Sequence, residues 1–169
     1  FRSPESLSKE DASIQHLCGL LADLLQKKHW LMATAESCTG GQIAGACTDL
    51  AGSSGWFECG FVTYSNEAKT AMLGVDAALI ARHGAVSEPV ARAMAQGALA
   101  RSRAQVAVAV TGIAGPTGGS AAKPVGTVWF CLSLEGRLTS EMRHFGCDRA
   151  AVRSSTVRDA LERLLRLSA

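Results

Sequence analysis

No stretch of the 169-residue chain is apolar for long enough to span a bilayer. Its N-terminal segment also lacks the apolar core of a secretory signal. A strong charge of either sign is missing, because 17 basic and 15 acidic residues leave a net charge of +2 at pH 7. This balance gives no electrostatic case for a nucleic-acid or membrane partner. We therefore expect a cytoplasmic protein.

Paired metal-binding motifs are absent as well. The four histidines share no ligand spacing, and the six cysteines are scattered without a C-x-x-C pair. Most of these cysteines lie in apolar runs, where a buried free thiol fits well. A disulfide framework and a structural zinc site are therefore not expected, and we predict a protein without a metal or another cofactor.

The chain does have the composition of an ordinary globular protein, with 47% apolar and 19% charged residues. Its length suits one domain over residues 1–169. Hydrophobic periodicity predicts a first helix from about Leu7 to Lys28, helices between the first three strands and a last helix that Asp148 caps. Ser65 and Asp76 are predicted caps of two short helices. The predicted strands are residues 31–36, 56–64, 105–110, 126–134 and 138–145.

The order of these elements predicts an α/β fold with a mixed, mostly parallel five-stranded sheet. Helical crossovers join the first three strands, which makes them parallel. The connection at residues 112–125 is too rich in Gly and Pro for a helix, so the fourth strand should run antiparallel to the third. A tight turn at residues 135–137 then reverses the fifth strand. The third strand alternates Val and Ala without polar breaks, which is typical of a buried central strand.

Polar side chains follow four of the strands on the same side of this predicted sheet. Ligands of open α/β sheets bind outside the carboxyl ends of the strands. We therefore predict a small-molecule site at this edge of the sheet. The residues that follow these strand ends are Ser37, Tyr64 with Lys69, Thr111 and Arg149.

The run at residues 34–41, Thr-Ala-Glu-Ser-Cys-Thr-Gly-Gly, is the most informative feature of this edge. It forms a strand-to-helix turn, which can present a serine nucleophile and bind an oxyanion with backbone N–H groups. Ser37 needs a base, and Lys69 is well placed if burial or a nearby cation lowers its pKa. Two alternatives stay open: Ser37 merely caps the following helix, or Cys38 is the nucleophile. Glu36 is expected to pair with a basic residue.

A second glycine-rich turn, at residues 111–119, follows the third strand. Its backbone N–H groups could cradle a phosphate, but this signal is weak by itself, and a plain connecting loop is the alternative. Arg149 gives the better phosphate site, because a guanidinium lies there at a helix N-terminus. Lys123 either assists it or is solvated.

These motifs, in this order, resemble the CinA carboxy-terminal domain family. The resemblance covers roughly residues 17–165 and rests on several motifs together. The matching segments are residues 34–41, 51–54, 60–69, 73–75, 83–88, 111–116 and 123–128. It implies a three-layer α/β/α fold with a mixed five-stranded sheet. Larger relatives carry an extra N-terminal domain, and we expect none in a chain of this length.

Standalone members of that family hydrolyse nicotinamide mononucleotide to nicotinic acid mononucleotide and ammonia, in pyridine nucleotide recycling. The family resemblance implies a metal-free serine amidohydrolase in which Ser37 is the nucleophile, Lys69 the base and Tyr64 an auxiliary group. Arg149 would bind the substrate, and family members are often homo-oligomers. With this chemistry, the N–H groups near Thr39, Gly40 and Gly41 stabilise the oxyanion, while Thr111 and Gly112 contact the substrate.

One departure from the family pattern stands out, besides Thr117 where an aspartate is common. Cys147 stands two residues before Arg149, where the family typically has glycine, and its side chain could shift the arginine. Two rival functions are kept beside the amidohydrolase. One is a nucleotide-binding module without turnover, and the other is a cysteine hydrolase that uses Cys38.

Overall fold

The computed structural model describes residues 9–169, in which helices pack on both faces of a five-stranded sheet. The predicted helix start near Leu7 lies outside the described residues. The strands are β1 Met32–Glu36, β2 Phe57–Val62, β3 Val106–Gly112, β4 Thr127–Leu134 and β5 Arg137–His144. The helices are α1 Lys9–Lys28, α2 Gln42–Thr48, α3 Asn66–Leu73, α4 Ala77–His83, α5 Glu88–Ala100 and α6 Arg149–Ser168, with a 3₁₀ turn at Ser53–Gly55.

The strands lie in the order β2-β1-β3-β4-β5. β1 pairs in parallel with both β2 and β3, whereas β4 is antiparallel to β3 and to β5. The predicted mixed sheet with an antiparallel fourth strand is therefore confirmed. The carboxyl ends of β1, β2, β3 and β5 consequently share one edge of the sheet.

Two apolar cores form, one on each face of the sheet. β3 supplies both, because successive side chains of a strand point to opposite faces. Val106, Val108 and Val110 pack with α1, α2 and α6, whereas Ala107 and Ala109 pack with α5 and its neighbours. This confirms the three-layer α/β/α arrangement. β3 is buried along nearly its whole length, as its Val and Ala pattern predicts.

The short alanines of β3 let α5 approach the sheet closely. Helix α5 also lies against the end of α3, where a Cβ atom on Gly97 would be only 2.1 Å from the Leu73 carbonyl oxygen. Only a residue without a side chain fits this contact. The contact fixes α3, which carries Lys69, relative to α5.

Side-chain caps set the starts of the helices that border the site. Ser65 accepts a hydrogen bond from the Ala68 N–H at α3, Asp76 from the Ala78 N–H at α4, and Asp148 from the Ala151 N–H at α6. All three caps are as predicted. None of the helices in the described part of the chain has the length and hydrophobicity needed to cross a membrane.

Candidate active site

Ser37 is held at the end of β1, between the sheet and α2. Its N–H donates to the Val110 carbonyl of β3 at 3.1 Å, which continues the strand pairing by one residue. Its own carbonyl accepts from the Gly40 N–H at 3.0 Å, which closes a tight turn. Ser37 is nevertheless 8% exposed, so its hydroxyl lies at the edge of the interior.

Glu36 holds this turn in place from the protein interior. Its fully buried carboxylate accepts four hydrogen bonds, from the hydroxyls of Thr34 and Thr39 and from the N–H groups of Ile43 and Ala44. The expectation that Glu36 pairs with a basic residue is therefore wrong, because N–H groups in the first turn of α2 bind its carboxylate instead. Glu36 caps α2, and the alternative in which Ser37 only caps this helix is not what the structure shows.

Lys69 is the partner of the Ser37 hydroxyl. Its Nζ lies 3.0 Å from Ser37 Oγ, 3.0 Å from the Thr63 carbonyl oxygen and 3.1 Å from the Tyr64 carbonyl oxygen. The side chain is 1% exposed, among the largest buried groups of the protein. The short β2–α3 connection supplies both carbonyls, so the backbone itself aims the amine at Ser37.

The environment of Lys69 shifts its amine toward the neutral form. Burial lowers its pKa, and the nearby Cys38 and Glu67 oppose this shift to a smaller extent. A neutral amine has two N–H donors and one lone pair. Besides the Ser37 hydroxyl, Nζ has three carbonyl neighbours, of which the Ser65 carbonyl oxygen is the farthest at 3.5 Å. In the neutral form two N–H groups can bind carbonyls while the lone pair faces the Ser37 proton. This is the arrangement that a serine nucleophile and its base require.

Ser37 and Lys69 open onto a cavity of about 220 Å³ at the predicted edge of the sheet. Six of the nine predicted site residues line it: Ser37, Lys69, Tyr64, Thr111, Gly112 and Arg149. Its other lining residues are Cys38, Asn66, Ala85, Val86 and Ala114. The convergence of these strand ends, expected from topology, thus produces one concave site.

The remaining predicted residues, Thr39, Gly40 and Gly41, shape the turn and are not among those that line the cavity. The Thr39 hydroxyl donates to Glu36 at 2.7 Å, and the Gly40 N–H donates to the Ser37 carbonyl. Gly41 is the residue that precedes α2. Sequence spacing alone does not fix such local hydrogen bonds.

Arg149 joins two sides of the cavity. Its Nη1 donates to the Gly115 carbonyl at 2.8 Å, and its Nη2 donates to the Tyr64 hydroxyl at 3.1 Å. Tyr64 is 60% exposed, so this pair lies at the mouth of the cavity. A guanidinium here is available to an anionic group of a ligand.

The third strand supplies the floor of the site. The Thr111 hydroxyl donates to the Ala85 carbonyl at 3.0 Å and so holds a wall of the cavity. A Cβ atom on Gly112 would lie 2.7 Å from Val128 Cγ2 and 3.1 Å from Cys38 Sγ, so no larger residue fits. Lys123 donates to the His83 carbonyl at 2.6 Å, which makes it a tie between loops.

Sequence reasoning missed Arg153. Its Nε donates to the Cys38 carbonyl at 3.0 Å and its Nη2 to the Thr39 carbonyl at 3.3 Å. One signal could have found it, because Arg153 follows Arg149 by four residues and so lies on the same face of α6. Asn66, at the start of α3, was also missed.

Cys38 is a poor nucleophile in this setting. Burial raises the pKa of its thiol to about 12, so the thiolate is scarce near neutral pH. Among the side chains of residues 12–169, no group of three or more His, Cys, Asp and Glu is placed to hold a metal ion.

Comparison with known proteins identifies the family of the chain. The profile described as the CinA C-terminal domain matches residues 14–168. The chain belongs to the CinA C-terminal domain family. The resemblance found in its motifs is therefore confirmed.

Relatives of similar length match most of this chain. The chain is 53% identical over 154 residues to "Nicotinamide-nucleotide amidohydrolase PncC" of Pseudomonas putida, covering 91% of this chain and 96% of that protein. It is 50% identical over 155 residues to the PncC of Escherichia coli K12, covering 91% and 94%. The crystal structure of competence/damage inducible protein CihA from Agrobacterium tumefaciens has a TM-score of 0.88 at 49% identity, covering 93% and 96%.

Proposed function

We propose that this protein hydrolyses the carboxamide of nicotinamide mononucleotide to nicotinic acid mononucleotide and ammonia, in pyridine nucleotide recycling. The observation that carries the proposal is the buried Lys69 Nζ at 3.0 Å from Ser37 Oγ, at the wall of a cavity. Relatives named nicotinamide-nucleotide amidohydrolases, at 53% and 50% identity, support the substrate.

The first half of the reaction forms an acyl-enzyme. Ser37 Oγ attacks the carboxamide carbon while neutral Lys69 Nζ accepts the hydroxyl proton. The Thr39 and Gly41 N–H groups of the turn are assigned to the oxyanion, whereas the Gly40 N–H, which the sequence also predicts for this role, donates to the Ser37 carbonyl. The tetrahedral intermediate then collapses, the C–N bond breaks, and the lysine proton goes to the departing nitrogen to give ammonia.

The second half regenerates the enzyme. Water attacks the ester carbon, and Lys69 accepts one of its protons. The ester bond to Ser37 Oγ breaks, the lysine returns its proton to that oxygen, and nicotinic acid mononucleotide leaves. Tyr64 is the auxiliary group of the site, since its hydroxyl is held by Arg149 at the cavity mouth.

The shape of the cavity fits the reacting end of this substrate. Pockets that enclose a whole drug-sized ligand measure about 300–1,000 Å³, whereas this cavity has about 220 Å³. We infer that the pyridine carboxamide enters beside Thr111 and Gly112. The ribose phosphate then lies at the mouth, where Arg149 supplies a cation.

Ammonia release from nicotinamide mononucleotide tests the proposal, with wild type, Ser37→Ala and Cys38→Ala compared. We expect turnover by the wild type, none above background by Ser37→Ala, and clear turnover by Cys38→Ala. A dead Cys38→Ala with an active Ser37→Ala would support the cysteine hydrolase. Binding of the nucleotide without product in all three proteins would support a non-catalytic nucleotide-binding module.

We further propose a cytoplasmic homo-oligomer whose subunit is one domain over residues 1–169, with a small-molecule partner and no nucleic-acid partner. Six free cysteines fit a reducing compartment. Apolar side chains at the end of β2 and on α3 are exposed, which suits contact between subunits: Val62, Tyr64 and Met72. Light scattering coupled to size exclusion measures the subunit number.

A further inference from the structure

Arg153 connects the last helix to the turn that carries Ser37. One edge of its guanidinium, formed by Nε and Nη2, donates to the carbonyls of Cys38 and Thr39 at 3.0 and 3.3 Å. These two acceptors are consecutive and come directly after the serine. A planar fork with two parallel donors fixes the direction of both carbonyls, and such charge-assisted bonds exceed neutral ones in strength.

Fixing the carbonyls also fixes the N–H groups of the turn. A peptide group is planar, so each carbonyl is rigidly opposed to the N–H of the next residue. The Cys38 carbonyl shares its plane with the Thr39 N–H, and the Thr39 carbonyl shares its plane with the Gly40 N–H. Arg153 therefore orients two N–H groups of the turn without touching them.

Gly40 provides independent evidence that the turn after Ser37 accommodates the Arg153 guanidinium. Its backbone has φ +59°, in the left-handed region that favours glycine. A Cβ atom at this position would lie 3.2 Å from Arg153 Nη2. Any side chain there would crowd the guanidinium, so the turn and the arginine fit one another.

The charge of Arg153 is directed at these carbonyls rather than at a carboxylate. None of the ion pairs formed among the side chains of residues 12–169 includes it, whereas Arg143 of β5 and Arg163 of α6 both pair with Asp159. Arg153 is half-buried against the turn. A surface arginine that served only solubility would not be held in this way.

We propose that Arg153 is a positioning residue that holds the turn after Ser37 in the shape required for attack and oxyanion binding. It acts through the backbone of Cys38 and Thr39 and does not contact the substrate. The inference rests on the proposed amidohydrolase function for its kinetic consequences, but the shape of the turn can be measured without turnover.

Kinetics with nicotinamide mononucleotide form the first arm of the test, with Arg153→Met, Arg153→Lys and the control Arg158→Met, another arginine of α6. We expect Arg153→Met to lower kcat by roughly 10- to 100-fold because small misplacements of reacting groups are costly. KM should stay within about two-fold. Arg153→Lys should recover part of kcat, since an ammonium can still bind one carbonyl, and Arg158→Met should match the wild type.

Amide hydrogen exchange over residues 37–41 forms the second arm and needs no activity. In Arg153→Met we expect this segment to exchange at least about five-fold faster, with β3 and the Arg158→Met control unchanged. Unchanged exchange in Arg153→Met, or a folded Arg153→Met with wild-type kcat, would overturn the inference. A wild type without turnover but with the exchange difference would overturn the proposed function and leave the positioning role supported.

Discussion

Lys69 makes the pH dependence of the reaction predictable at the scale of one residue. Its pKa is lowered by burial, and only the neutral amine can take the Ser37 proton. Below that lowered pKa the amine is charged, and above it the base is free. We therefore expect kcat/KM for nicotinamide mononucleotide to rise with pH and to level off below the ordinary lysine value of about 10.4, as measured by initial rates of ammonia release.

The matched variants for this prediction are Lys69→Met and Lys123→Met. Methionine fills the same buried space as the stem of Lys69 but carries no base, so we expect kcat to fall by about 10²- to 10⁴-fold. Lys123 ties two loops outside the cavity lining, and its variant should keep the rising pH profile. A Lys69→Met enzyme with full activity would contradict the assignment of the base.

Cys147 tests whether the departure from the family pattern matters. The residue is exposed, is not among those that line the cavity, and precedes a helix whose cap Asp148 is intact. Arg149 still reaches Gly115 and Tyr64 with this cysteine in place. We expect Cys147→Gly to change kcat/KM by less than about two-fold, and a larger change would show that this side chain affects Arg149.

At the scale of elements, the stability of the β1–α2 turn depends on one carboxylate. Glu36→Gln keeps the shape of the side chain but replaces one carboxylate oxygen by an NH₂ group, which cannot accept the hydrogen bond of the Ile43 or Ala44 N–H. We expect a loss of about 1–3 kcal/mol in the free energy of unfolding, because a buried donor is left without an acceptor. Urea unfolding measures it, with Glu58→Gln as the control.

The control is suitable because Glu58, whose side chain is 14% exposed, pairs with Arg103, whose side chain is 83% exposed, and ion pairs open to water contribute little. Glu58→Gln should therefore shift the unfolding midpoint much less than Glu36→Gln does. Equal shifts in the two variants would show that Glu36 is not a structural anchor of α2.

The elements themselves were largely predictable because their signals are local. Helix starts are marked by capping residues, namely Ser65, Asp76 and Asp148. The absence of a helical pattern at residues 112–125 predicted that β4 runs antiparallel to β3. Glu36 and Arg153 were not assigned correctly because their partners are backbone groups. No residue type in the sequence marks a free amide or carbonyl, so such partners become visible only in three dimensions.

At the scale of the whole molecule, β3 contributes side chains to both apolar cores. The sequence predicted the direction of each strand, but it did not predict that β1 lies between β2 and β3. In the observed order, β1, which leads to Ser37, is flanked by the strand that leads to Lys69 and by the strand that ends in Thr111 and Gly112. The site is therefore compact because three neighbouring strands end together, and it depends on the packing of both faces.

This dependence predicts cooperative unfolding of both layers. Met94 lies in the core on the α5 face, and Met94→Ala should lower the free energy of unfolding by about 2–5 kcal/mol. Trp129 reports on that face, whereas Trp30 and Trp56 report on the α6 face. Because β3 contributes to both cores, Met94→Ala should shift the urea unfolding midpoint equally at both reporter positions. Each position is followed by tryptophan fluorescence in a variant whose other tryptophans are changed to Phe. A shift confined to Trp129 would mean that the α6 face, with Arg149 and Arg153, unfolds as a separate unit.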